Sequence, residues 1–204
     1  HLDTPHKAIF IKGLAAGTAT ITLKDSQNKT IAITVTVKAK NDIFEVDGSG
    51  VVTLKAGATA KGAITIPTNA TAVGQGLFRS NSAITSVNFS NVIKIGASAC
   101  FGTTNLTSIT LNKVEEIEAT AFANSGLTEL TLPATIKTIA RTAFANCKGL
   151  TKVTVKATTP PTVQANTFNG INANAVLYVP KGKKADYEAQ ANWKSKFKEI
   201  KELN

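Results

Sequence analysis

Histidine, cysteine and methionine are nearly missing from this chain of 204 residues, which holds two His, two Cys and no Met. Each scarcity removes a class of chemistry. A Ser-His-Asp or Cys-His site needs an imidazole held rigidly beside its nucleophile. His1 and His6 are the only candidates, and both lie in the N-terminal segment, where chains are seldom tied down. Two cysteines supply neither a disulfide framework nor the paired C-x-x-C clusters of a zinc site. No run approaches the ~18 consecutive apolar residues of a membrane-spanning helix. No basic stretch followed by an apolar one opens the chain, so it is expected to carry no transmembrane segment and no export signal or anchor of its own. Charged residues make up only 18% against 43% hydrophobic, too apolar a balance for a disordered chain and enough to bury a core in one or two domains.

Acidic residues are absent from one long stretch. Residues 130–184 contain Lys137, Arg141, Lys148, Lys152, Lys156, Lys181, Lys183 and Lys184 and no Asp or Glu, so +8 of the net +10 charge falls there. A nucleic-acid surface interleaves aromatics with such cations. Only Phe144, Phe168 and Tyr178 occur in this stretch, two of them at positions that read as core. An anionic glycan or an acidic protein surface fits the charge better than nucleic acid does.

What the chain has in abundance is repetition. Phenylalanine recurs at Phe78, Phe101, Phe122, Phe144 and Phe168, in steps of 23, 21, 22 and 24 residues. Short β-rich triplets keep the same rhythm: Ile64–Ile66, Val87–Phe89, Ile109–Leu111, Leu130–Leu132, Val153–Val155 and Leu177–Val179. An apolar anchor precedes several of them, as in Leu106-x-x-Ile109-x-Leu111 and Leu127-x-x-Leu130-x-Leu132, and pairs three apart follow, as in Val114/Ile117 and Ile136/Ile139. A unit of ~22 residues cannot bury its apolar face alone, so each coil must stack on the next. The spacing predicts a mainly β, parallel-stranded solenoid of about five to six coils with the five Phe rings in one internal stack.

Residues 1–40 do not share that rhythm. Ala8–Ile11, Thr18–Leu23 and Thr30–Val37 alternate as three antiparallel strands, a small module with an open edge that invites self-association or another partner. Residues 41–180 then read as the solenoid, begun by a hairpin in which Ile43–Val46 and Val51–Leu54 flank Asp47-Gly48-Ser49-Gly50. Residues 181–204 read as a helical cap, with Tyr187, Trp193, Phe197 and Ile200 covering the last coil.

These units resemble the BspA-like leucine-rich repeat family. Leu130-Thr131-Leu132-Pro133, Ile139-Ala140, Ala143-Phe144, Asn146-Cys147 and Leu150 match its coil almost fully, and Leu177-Tyr178-Val179-Pro180 with Tyr187, Trp193 and Phe197 matches its C-terminal cap. Ala99-Cys100-Phe101 departs from the pattern, as does Pro160-Pro161. Gly13–Thr22 and Ile33–Val37 resemble the closing half of a bacterial immunoglobulin-like domain of group 2. Both resemblances imply a secreted or surface-anchored protein of host-associated anaerobic bacteria with a role in adhesion and binding.

Isolated constellations favour structural readings. Glu115, Glu116 and Glu118 sit in a repeat turn facing solvent rather than as a spaced acid pair. Asp42, Glu45 and Asp47 miss the spacing of a calcium loop, and Gly74-Gln75-Gly76 is too short to cradle phosphate. Cys100 and Cys147 lie two coils apart, beyond disulfide reach at ~4.8 Å per strand. No cofactor or metal is called for. Thr65, Asn88, Thr110, Thr131, Thr154 and Tyr178 share one outward strand position; such an array suits an ordered ligand surface, and equally a solvated sheet of good strand formers. Lys152 and Lys156 fall together beside Thr154, whereas Lys137 and Arg141 belong to the turn of the preceding coil. The expectation is a non-catalytic binding or adhesion protein for a host or matrix protein or an anionic glycan, with Lys152, Lys156, Lys137, Arg141, Lys148, Thr110, Thr131 and Thr154 as candidate contacts. A structural spacer or stalk in a bacterial envelope is the alternative.

Overall fold

The structure, a computed structural model, describes residues 17–24, 29–37 and 43–204. Two compact units divide the chain, His1–Asp42 and Ile43–Asn204. In the first, β1 (Gly17–Lys24) pairs antiparallel with β2 (Thr30–Val37), Gly17 opposite Val37 and Lys24 opposite Thr30. The strand expected at Ala8–Ile11 lies outside the described residues.

The second unit opens with the expected hairpin, β3 (Phe44–Val46) antiparallel to β4 (Val51–Leu54). Asp47 closes its turn, one carboxylate oxygen accepting from the Ser49 N–H at 2.9 Å, the Ser49 hydroxyl at 2.7 Å and the Val51 N–H at 3.0 Å. Of the three acidic residues near this turn, Asp47 closes it, Glu45 lies in β3 opposite Thr53 and Asp42 lies outside the described residues. Each coil then contributes two strands. The longer ones are β5 (Gly62–Thr65), β7 (Ile84–Asn88), β9 (Ser108–Thr110), β11 (Glu129–Leu132), β13 (Lys152–Val155) and β15 (Val176–Val179). Between them fall the two-residue strands β6 (Ala72–Val73), β8 (Lys94–Ile95), β10 (Glu116–Ile117), β12 (Thr138–Ile139) and β14 (Thr162–Val163). The short strands stack in parallel from β4 to β14 and form a second ladder that the repeat pattern showed only as apolar pairs three apart.

The cap is richer than a helix. After α1 (Lys184–Glu188) and α2 (Ala191–Lys194), β16 (Glu199–Glu202) adds to β15 in parallel, making a seventh rung. Polar tips of the buried cap aromatics take up carbonyls of the last coil, Tyr187 Oη donating to Ala157 O at 2.7 Å and Trp193 Nε1 to Pro161 O at 3.1 Å. Pro161, one of the two prolines that break the repeat pattern, therefore lies buried under the cap.

Alternation along the strands places the apolar members inside. Ile64, Val87, Leu111, Leu130, Leu132, Val153, Val155, Leu177 and Val179 are buried, as are the anchors Ile84, Leu106, Leu127 and Leu150. The aromatic spine differs from expectation at one coil. Phe122 and Phe144 stack with centroids 5.3 Å apart, and Phe144 and Phe168 at 5.5 Å. Phe168 meets Trp193 and Phe197 of the cap, and Phe78 meets Phe44 of the hairpin at 6.1 Å. Phe101, however, is only half-buried, under the guanidinium of Arg79 at 4.6 Å. Cys100 occupies the spine position instead: its N–H donates to Ala121 O at 2.7 Å as that of Phe122 does to Ala143 O at 2.8 Å. The uneven steps of 23 and 21 were the trace of this substitution, since positions 78, 100, 122 and 144 are evenly spaced. Phe89 supplies the missing ring from the strand side, 5.9 Å from Phe122 and edge-on.

A backbone device brackets every spine residue. The residues two before and two after each one have positive φ: Gly76 and Ser80, Ser98 and Gly102, Thr120 and Asn124, Thr142 and Asn146, Asn166 and Gly170. Paired left-handed residues turn the chain tightly around the inward ring. Gly and Asn accept that conformation readily, and β-branched Thr does so at a cost.

Replacing Phe122 by Ala should therefore cost ~3–5 kcal/mol in denaturant unfolding, and Phe101→Ala distinctly less. Equal losses at both positions would contradict the assignment of Cys100 to the spine.

Candidate functional site

Seven parallel strands turn every second side chain outward. The middle row runs Thr65, Asn88, Thr110 on one side of a gap and Thr131, Thr154, Tyr178, Lys201 on the other. Beside it run Ala63, Ser86 and Ser108, then Glu129, Lys152, Val176 and Glu199. Thr110, Thr131 and Thr154 thus share one row. Lys152 opens β13 and Lys156 follows its last residue, bracketing Thr154 about 13 Å apart at ~3.3 Å per residue rather than touching. The remaining candidates lie elsewhere. Lys137 precedes β12 and its ammonium meets the Glu115 carboxylate at 2.6 Å. Arg141 follows β12, its backbone N–H donating to Gln164 Oε1 at 3.0 Å, and Lys148 sits exposed in the turn before β13.

Neighbouring coils also temper the basic stretch. Glu129, one residue outside the acid-free segment, reaches Lys152 at 3.7 Å, and Lys152 lies 5.7 Å from the Tyr178 ring centroid. Glu199 stands two strands along the same row. Counting charge along the chain misses these partners because they arrive from other coils. On the short-strand ladder Lys94 meets Glu118 at 2.7 Å and Glu116 at 3.6 Å, so the three glutamates are half of a cross-coil ion-pair ladder. Exposed pairs of this kind are worth ~0–1 kcal/mol each.

The long-strand sheet is not continuous. Among the described residues no hydrogen-bonded ladder joins β9 to β11, so the face divides into three strands and four. Two local causes are visible. Lys156 donates its N–H to Leu132 O at 3.0 Å, and the equivalent residue one coil earlier is Pro133, which has no N–H to offer. The turn before β11 is also one residue short, with five steps from Phe122 to Leu127 against six from Phe144 to Leu150. Gly126 closes that turn where a Cβ would collide with the Thr104 carbonyl oxygen. The result is a cleft of ≈ 400 Å3 lined by Ile109, Thr110, Leu111, Asn112, Thr131, Pro133, Ala134 and Lys156. Three of the candidate contacts, Thr110, Thr131 and Lys156, meet there. Asn112 and Pro133 are additions that only the shortened turn and the proline hinted at.

The sequence of residues 61–125 and 115–200 matches the BspA type leucine rich repeat region, in six copies. The chain belongs to the BspA-type leucine-rich repeat family. No curated protein matches it. Among solved structures it is similar to a leucine-rich repeat protein of T. pallidum, at 20% identity over 82% of each chain with a TM-score of 0.60. It is also similar to the pneumococcal vaccine antigen PcpA, at 20% identity over 80% of this chain and 48% of that one, TM-score 0.48. A leucine-rich cell surface protein of Faecalibacterium prausnitzii is similar at 19% identity over 78% of this chain and 52% of that one, TM-score 0.48.

Within this BspA-type solenoid the two thiols are structural. Both are buried and unbridged; burial pushes the Cys100 thiol well up, and that of Cys147 as well, against the opposing pull of its bond with Ser125. Thiolate reagents should therefore label neither in the native protein and both after unfolding; native-state labelling would show a coil open to solvent.

One carboxylate on the short-strand ladder is tuned. The Lys94 ammonium, and then the Ala97 N–H at 2.9 Å, hold Glu118 below its ordinary value of 4.5. A carboxylate lowered on folding stabilises fully above its unfolded pKa and loses that contribution as pH falls through the folded value. The stability gap between the wild type and Glu118→Gln should shrink as pH falls below about 5 and through the lowered folded value, as read by denaturant titration; a gap constant with pH would remove the pair from the acid response.

Proposed function

We propose that this chain is a non-catalytic binding or adhesion module, displayed at the cell surface or secreted, that engages its ligand through the outward face of the long strands. The observation that carries the reading is the face itself, a broad row of outward Thr, Asn, Tyr and Lys side chains with a cleft at its centre. Such a surface offers hydroxyls, amides and cations at strand spacing, which suits a repeating polar polymer or the polar rim of a matrix protein. Lys152 at the start of β13 and Lys156 just beyond its end favour an anionic partner, an acidic glycan before an acidic protein. Membership of the BspA-type leucine-rich repeat family supports the location. Residues 1–40 are read as the closing half of an immunoglobulin-like module on the resemblance carried by Gly13–Thr22 and Ile33–Val37, with 41–180 as the repeat region and 181–204 as its cap.

The test is a panel of sulfated glycans, uronic-acid glycans and matrix proteins presented to the purified chain. Saturable binding should weaken steeply with salt, since exposed charges are screened within ~8–10 Å at physiological ionic strength. The double variant Lys152→Glu/Lys156→Glu should lose most of it. Absence of any saturable ligand would favour the spacer reading, and salt-insensitive binding would move the site off this face.

A further inference from the structure

We propose that the cleft between β9 and β11 is a subsite for one carboxylate-bearing sugar residue, a uronic acid within or at the end of an acidic glycan. The proposal rests on the binding reading above and gives it a place and a chemistry. Backbone groups are the first feature. The Phe89 N–H bonds Thr110 O at 3.1 Å, and in a parallel ladder a residue turns both its backbone groups to the same neighbour. Those of Ile109 and Leu111 consequently face the cleft, where no strand pairs with them. Buried backbone groups seek a partner, and a hydroxylated ligand supplies both donors and acceptors.

Charge is the second feature. Lys156 lines the cleft, no carboxylate does, and among the described residues this lysine forms no ion pair, whereas Lys94 has two and Lys137 and Lys152 one each. An ammonium without a partner beside free N–H donors selects a carboxylate. Thr110, Asn112 and Thr131 supply hydroxyl and amide groups for ring hydroxyls, and Pro133 and Ala134 give an apolar wall for the C–H face of a sugar ring. At ≈ 400 Å3 the space lies at the small end of ligand pockets, ~300–1,000 Å3, room for a sugar unit and not for a helix.

Calorimetric titration of the full chain with short oligogalacturonides, and with neutral galactose oligomers of the same length, tests this. The acidic series should bind at least about tenfold more tightly. Lys156→Gln and Thr131→Val should each weaken it about tenfold, while Lys61→Gln, an exposed lysine outside the cleft, leaves it unchanged; the Lys156 and Thr131 side chains are exposed, and unfolding curves matching the wild type certify the fold. Equal binding of acidic and neutral series would overturn the proposal. So would wild-type affinity in Lys156→Gln and Thr131→Val. If those single variants keep full affinity while Lys152→Glu/Lys156→Glu loses it, the cleft falls and the face stands. If no acidic sugar binds but a matrix protein does, the sugar subsite is likewise refuted and the binding module survives. Displacement of the oligogalacturonide by a peptide through its C-terminal carboxylate, with no preference for the sugar, would overturn the sugar class.

Discussion

Burial of one coil against the next is the interaction on which everything else here depends. A unit of some 22 residues cannot close its own core, so the inward rings and aliphatic side chains of each coil find their contacts in its neighbours. Phe122, Phe144 and Phe168 make this literal by stacking ring on ring. The ends of such a stack would expose apolar surface, and both are closed with aromatics of their own kind, Phe44 from the hairpin and Trp193 and Phe197 from the cap. Left-handed residues on either side of the spine position turn the chain so that the ring points inward. The face that remains for ligands is what this packing leaves outside.

Repetition also sets the limits of that face. A strictly regular array would present identical rows, suited only to contact spread evenly along its length. Local irregularity creates a place. Here the loss of one N–H at Pro133 and of one residue before Leu127 open a gap in one ladder while the short strands β8, β10 and β12 continue across it unbroken. The core tolerates the gap because the second ladder and the spine still hold the coils in register.

Much of this was legible in the chain because the apolar period is an inter-coil constraint, and it repeats. Strand triplets, anchors, hairpin and cap all follow from which side chains must be buried together. The failures have physical causes. Residue type singles out Phe101 for the spine, whereas the even backbone spacing of 22 residues falls on Cys100. The rung at Glu199–Glu202 was hidden because a lone Ile200 between charges does not announce a strand; only the edge of β15 makes one. The candidate site was legible by half. Thr110, Thr131 and Thr154 fell on one row as alternation requires, whereas the electrostatics of Lys137 and Lys152 depended on Glu115 and Glu129, contributed by the preceding coil in each case. The cleft itself arises from a missing bond, and a missing bond leaves its mark only as a proline and a shortened step.

The broken ladder has a mechanical meaning as well. Hydrogen bonds between coils run along the solenoid axis and carry any load applied from end to end. Between β9 and β11 that load rests on the short strands, on the backbone bonds of the spine turns such as Phe122 N–H to Ala143 O, and on side-chain packing, with no long-strand ladder among the described residues to share it. Under tension applied at its two ends the solenoid would separate there first, at the very place where the face is recessed, and would yield at its centre while both caps stayed closed.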